Sequence, residues 1–291
     1  EIIGTRHLRI VPGRKISIGS MASTSYYENG TLVAGEPGWF RFATMELGAE
    51  AKIELPPPMG LKLTVGILDI KYSAEFKADS FIVEATDFYL EPLATLLCSG
   101  TAPLGGQGHP AKLGAGGGYG SRGGDSADGG VGGVAYGSIY QASDPGSQGG
   151  GASGGRGGGK LKFIVPAIFQ LDGYINANGA QGTLYSGGGS GGAIFIIAGQ
   201  FRGHGYVTAI GGQGHETAGG GSGGRIAIHT SDANEYRGAL IAYGEKGTTS
   251  GDRGGPGSVF IEDRLDPYTY QRRLYLDGKS LSPAKPMVIY E

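Results

Sequence analysis

Three serines of this 291-residue chain, Ser153, Ser190 and Ser222, sit in Gly-x-Ser-x-Gly. A serine nucleophile in that setting needs a strand before it and a helix after it, so that a sharp turn exposes the hydroxyl. Here a strand follows instead, and the copies fall at equivalent points of a repeat, so the serines belong to the repeat. Residues 154–160 nearly match a phosphate loop, but Leu161 stands where the metal-binding Ser or Thr is required. His109 and His215 end identical Gly-Gly-Gln-Gly-His pentapeptides, and no fixed spacing supplies the third ligand a metal needs. They read as loop residues of the repeat. Asp125, Asp128, Asp144 and Asp252 invite calcium, but the nonapeptide pattern of calcium-binding β-rolls does not recur, so calcium has no support. Asp172, Arg202, Arg225 and Arg237 are candidates for glycan hydrolysis or elimination, yet they do not recur in one column. The reading is not an enzyme: no catalytic residue, no cofactor and no metal.

The elements that would have to position such residues are strands set in a strict repeat. Four glycine bursts each run into a short apolar strand, at residues 157–164, 187–196, 219–228 and 254–261. The first strand residues, Leu161, Ile194, Ile226 and Val259, lie 33, 32 and 33 residues apart. A fixed period in that range marks a stacked repeat. A second half keeps register: residues 171–182, 202–214 and 236–247 align, with β-branched and aromatic residues between Gly, Asn and Asp. Two or three strands per 33 residues predict an all-β chain, a right-handed parallel β-helix (solenoid), with Ile194 under Ile226 and Ile175 under Val207. Stacking neighbours is what buries the apolar face of each unit.

Glycine is concentrated: of 61, residues 1–99 hold 9 and residues 259–291 only Gly278. Each ordered glycine gives up roughly 0.5–1 kcal/mol relative to alanine. Such density therefore implies disorder or backbones too close for a Cβ, and the flanking strands favour loops packed like polyglycine II. The boundaries fall at 1–99, a glycine-poor β region forming first coils or a cap, at 100–263, the glycine-rich repeat, and at 264–291, a closing strand and an arm. Strict alternation at Ile53-Glu54-Leu55 and Leu61-Lys62-Leu63 gives the first region one buried and one wet face.

From about Leu97 to Asp263 the chain resembles the glycine-rich repeat modules of large extracellular and cell-surface β-solenoid proteins. Residues 187–196, 203–212, 219–228 and 254–261 carry the resemblance. It implies a secreted or surface-displayed protein and no activity. Asn29-Gly30-Thr31 is an N-glycosylation sequon, in keeping with secretion. Residues 1–4 have neither a basic start nor an apolar core, so they read as part of a mature or excised segment, or of a cytosolic chain. The single cysteine, Cys98, excludes an internal disulfide and reads as a buried thiol, with an intermolecular bond as the alternative. A net charge of −2 with scattered Lys and Arg gives no footprint for nucleic acid. The longest apolar run, residues 193–198, is too short to span a membrane.

The apolar segments Ile2-Ile3 and Met287-Val288-Ile289-Tyr290 suit strand pairing, either as caps on the chain's own stack or as joints between copies. Head-to-tail joints that do not close generate filaments. The expectation is an extracellular structural protein, a subunit of a filament, coat or matrix. The alternative is an adhesin or a glycan- or ice-binding module. Tyrosines 119, 136, 140, 174, 185, 206, 236 and 243 could form a sugar-binding ladder, or simply pack as half-buried strand residues.

Overall fold

A computed structural model describes residues 2–3, 7–17, 24–28, 31–34, 39–55, 60–110, 114–266, 269–277 and 288–290. The first strands are β1 (Ile2–Ile3), β2 (His7–Ile10), β3 (Lys15–Ser17), β4 (Thr24–Glu28) and β5 (Thr31–Ala34). Long and short strands then alternate: β6 (Trp39–Leu47), β7 (Lys52–Glu54), β8 (Gly60–Ile70), β9 (Glu75–Lys77), β10 (Ser80–Leu90) and β11 (Thr95–Leu97). After a long insert the alternation resumes with β12 (Lys160–Leu171), β13 (Tyr174–Asn176), β14 (Ala193–Gly203), β15 (Tyr206–Thr208), β16 (Arg225–Tyr236) and β17 (Ala239–Ile241). The last three are β18 (Gly257–Asp266), β19 (Thr269–Asp277) and β20 (Val288–Tyr290).

The long strands form one ten-stranded sheet, β2-β6-β8-β10-β12-β14-β16-β18-β19-β20, parallel as far as β18. The short strands form a seven-stranded sheet, β17-β15-β13-β11-β9-β7-β3. Leu161 pairs with Ile194, Ile194 with Ile226 and Ile226 with Val259, and on the short sheet Ile175 pairs with Val207. In the glycine-poor region the step is shorter, 20 residues from Leu61 to Phe81. Both sheets run across the boundary at residue 99, and the long one also across that at 263.

The expected right-handed parallel β-helix is overturned. The chain is mostly strand, with no helix among the described residues, but its strands lie in two parallel-containing sheets with no closed solenoid. Sheets of this kind usually belong to α/β folds, where helices cover them. The reason lies in the return path from each short strand to the next long one. Between β9 and β10 it is only residues 78–79. Between β13 and β14 it is residues 177–192, which leave the sheets to bundle with other glycine segments instead of closing a coil. At the two ends the parallel order also stops: β4 and β5 pair antiparallel, as do β18, β19 and β20.

The core lies between the sheets. Burial alternates along β6, β8, β10 and β12 and resets phase once in each, so that Phe81, Val83 and Ala85, then Phe88 and Leu90, face inward from β10. Phe88, Phe163, Phe169 and Phe201 form a connected aromatic group, with Phe169 at 4.5 Å from Phe88, 5.1 Å from Phe163 and 5.4 Å from Phe201. In the last turns the inward positions become polar. Asp263 accepts from Thr230 (3.0 Å) and Asn234 (2.8 Å) and pairs with Arg273, which ends the apolar column. The outer face of β14, β16 and β18 carries a second, smaller core of Phe195, Ala227 and Phe260, covered by Tyr119 and Ala142 from the long insert.

Candidate functional site

The glycine segments are ordered, and their hydrogen bonds rotate in threes. The N–H groups of Gly187 and Ser190 go to the carbonyls of Gly150 and Ser147, those of Gly188 and Gly191 to Gly219 and Ser222, and those of Gly189 and Gly192 to Ala180 and Ala177. Residues 219–224 repeat the pattern toward 114 and 117, 252 and 255, and 212 and 209. Three residues per turn with every bond going outward is the signature of polyproline-II-type strands packed side by side. Each glycine then faces a neighbour's backbone where a side chain would be. At Gly189 an added Cβ would lie inside 3.0 Å of the carbonyls of Arg156 and Gly155.

Ser190 and Ser222 are the exceptions within these two segments, and both are fully buried. Ser190 Oγ accepts the N–H of Ser147 (2.8 Å), and Ser222 Oγ accepts that of Tyr119 (2.9 Å) and donates to the Gly223 carbonyl (3.2 Å). The serine of the motif thus ties the long insert to the repeat. Arg225 does the same from the outer face of β16. It donates to the Tyr136 carbonyl (2.9 Å), reaches Ser258 (3.2 Å) and lies 5.4 Å from the Tyr119 ring.

The other chemistry-bearing residues are dispersed. His109 Nδ1 lies 3.0 Å from the Gln148 carbonyl, and His215 Nδ1 accepts the Tyr185 N–H at 3.2 Å. Asp125 accepts from Arg122 (2.6 Å) and Gly132 (2.7 Å), and Asp128 from Thr217 (3.0 Å). Among the described residues no three His, Cys, Asp or Glu side chains are grouped to hold a metal. A surface groove of about 230 Å³ lies where β8, β10 and β12 turn, lined by Asp69, Lys71, Tyr89, Glu91, Gln170 and Asp172. Its charges are committed. Lys71 bridges Asp69 (2.7 Å) and Glu91 (2.9 Å), which raise its ammonium above the usual range. Gln170 donates to Asp172 (2.6 Å) and accepts from Arg202 (2.7 Å). No family model, curated protein or solved structure matches this chain.

The segments expected to mediate assembly lie at sheet edges. Ile2–Ile3 form β1, the outer strand of a three-stranded sheet β1-β4-β5, paired with β4. Val288–Tyr290 form β20, paired with β19 of the same chain through Leu274↔Ile289 and outermost in the ten-stranded sheet. Asn29 and Met287 lie outside the described residues. The sequence reading missed the polar cluster around Asp263, because Thr230, Asn234 and Asp263 come from separate strands and show no common motif.

Several acidic protons are held inside the protein. Burial, aided by Asp79, pushes the Cys98 thiol well above its ordinary value. Burial raises the Tyr119 and Tyr236 phenols, and it brings Tyr136 to about 12 against the opposing hydrogen bond of Ser147. These groups stay neutral when folded and ionise when unfolded. Their contribution is therefore complete below the unfolded values, about 8.5 for a thiol and about 10 for a phenol. It is lost as pH rises through that range toward the folded values. Urea midpoints should be level from pH 7 to about 8.5 and fall steadily by pH 11. A midpoint unchanged at pH 11 would contradict the burial of these groups.

Proposed function

We propose that this chain is an extracellular structural protein, a stiff subunit of a filament, coat or matrix, and not an enzyme. One observation carries the reading: the glycine segments drawn from residues 114–257 are hydrogen-bonded in rotation and packed so closely that an added Cβ at most of their glycines would meet a neighbour's backbone. A backbone so densely cross-bonded supplies rigidity and surface. The resemblance of residues 97–263 to glycine-rich modules of extracellular proteins, with the sequon at Asn29, supports a secreted or surface location.

The proposed joint uses the outer strands. β1, with Ile2 and Ile3, and β20, with Val288, Ile289 and Tyr290 and the preceding Met287, each end a sheet. An edge strand is a template for pairing with another chain, and pairing β20 of one copy with β1 of the next is head-to-tail and does not close. Sedimentation velocity over a concentration series tests it. The full chain is expected to form large species as concentration rises. A chain lacking residues 282–291 is expected to stay monomeric, with its urea midpoint nearly unchanged. Equal association of both chains would refute the joint.

A further inference from the structure

Two pairs of tyrosine rings meet among the described residues, and their surroundings differ. Tyr119 and Tyr136 lie 4.8 Å apart at 47°, with Tyr119 fully buried and the Tyr136 hydroxyl donating to the Pro145 carbonyl. Burial raises both phenols, so their protons are held. Tyr174 and Tyr206 are the opposite case. They sit in register on the parallel strands β13 and β15, with ring centroids 5.2 Å apart and planes within 7°. Both are open to solvent, 37% and 43% exposed. Thr95 precedes them in their column and Ala239 follows, so within it each ring has the other as its only tyrosine.

We propose that Tyr174 and Tyr206 are an oxidative coupling site, joined by a dityrosine bond that staples β13 to β15. The chain has 16 tyrosines but a single cysteine, so a covalent tie within one copy can come from phenols and not from a disulfide. The oxidant is a peroxide acting through a haem peroxidase, which takes one electron and one proton from each phenol. The two phenoxyl radicals join at a carbon ortho to each hydroxyl. A C–C bond forms, the two ortho C–H bonds break, and those hydrogens return to the oxygens as the rings regain aromaticity. In sum, two tyrosines and one hydrogen peroxide give one dityrosine and two waters. Proximity selects the partner, because a radical on one ring finds the second held beside it on the next strand. Exposure selects the pair, because oxidant reaches these phenols and not that of Tyr119. The other well-exposed tyrosines, Tyr72, Tyr140, Tyr185 and Tyr270, touch no second tyrosine ring among the described residues. The step occurs within one copy and is independent of the joint proposed above.

Treating the full chain, kept dilute, with a haem peroxidase and hydrogen peroxide tests the site, with single chains then isolated by gel filtration in denaturant. Their tryptic digest is expected to hold residues 163–202 joined to residues 203–225 with the loss of two hydrogens. Fragmentation should place the bond at Tyr174 and Tyr206. Tyr174→Phe and Tyr206→Phe keep the stacked ring and remove only the hydroxyl, and each should abolish this product. Tyr185→Phe, in the same peptide as Tyr174, should leave it unchanged. Treated wild-type protein should unfold at higher urea than untreated, because the bond constrains the unfolded chain, and the Tyr206→Phe protein should show no such rise. No dityrosine in single chains, coupling of Tyr119 with Tyr136 instead, an unchanged product in Tyr206→Phe, or a midpoint that does not rise overturns the inference. Sedimentation of untreated samples reads the assembly separately.

Discussion

Gly221→Ala is expected to destabilise the protein by about 3 kcal/mol or more, the upper range for overpacking a dense interior, or to prevent folding altogether. Gly221 donates to the Gly212 carbonyl at 2.9 Å and accepts the N–H of Glu245 at 3.0 Å. A Cβ there would lie inside 3.0 Å of the Gly189 carbonyl and of the Ser190 nitrogen, both backbone atoms fixed by their own bonds. Relief would require moving residues 187–192, and with them the three segments they bond to. Gly129 is the control. It has a φ of +79°, but a Cβ there would meet nothing within 4 Å. Gly129→Ala should therefore cost only the backbone strain, about 1–2 kcal/mol. Urea unfolding followed by circular dichroism compares the two. Similar midpoints would mean that close backbone approach is not what the repeat glycines serve.

Phe169→Ala should cost about 3–5 kcal/mol, as truncation of a fully buried aromatic does. Its ring contacts three other phenylalanines from β10, β12 and β14, so the cavity would open at the centre of the stack and on both sides of one strand. Ile197, on the outer face of the neighbouring strand and 37% exposed, is the comparison. Ile197→Ala should cost about 1–2 kcal/mol, because more than a third of its surface stays in water and no closed cavity is left. A loss at Phe169 no larger than at Ile197 would mean that the two sheets do not share one core.

The register of the later turns was legible in the sequence. Leu161, Ile194, Ile226 and Val259 are marked by the glycine bursts before them, and they pair as spaced. The path between them was not. Period alone does not say whether a glycine segment closes a coil or leaves it. That depends on partners far along the chain, such as Gly117 for Ser222 and Gly150 for Gly187. The 20-residue step of the first turns carries no glycine mark and reads only as alternation. The polar end of the core at Asp263 and the antiparallel turn into β19 also escaped, since hydrophobic alternation continues through Val259 and Ile261 as if another parallel strand followed. Among the candidate residues, the stacked pair Tyr174 and Tyr206 followed from the repeat, whereas the ties of Ser190, Ser222 and Arg225 to the long insert needed the fold.

Electron microscopy of the undenatured protein tests the structural reading most directly. Ten strands at a spacing of about 4.8 Å make one subunit on the order of 40 Å long along the stack. The account predicts regular filaments or sheets whose repeat is near that length and which are lost on removing residues 282–291. Discrete particles of uniform size at every concentration would contradict it.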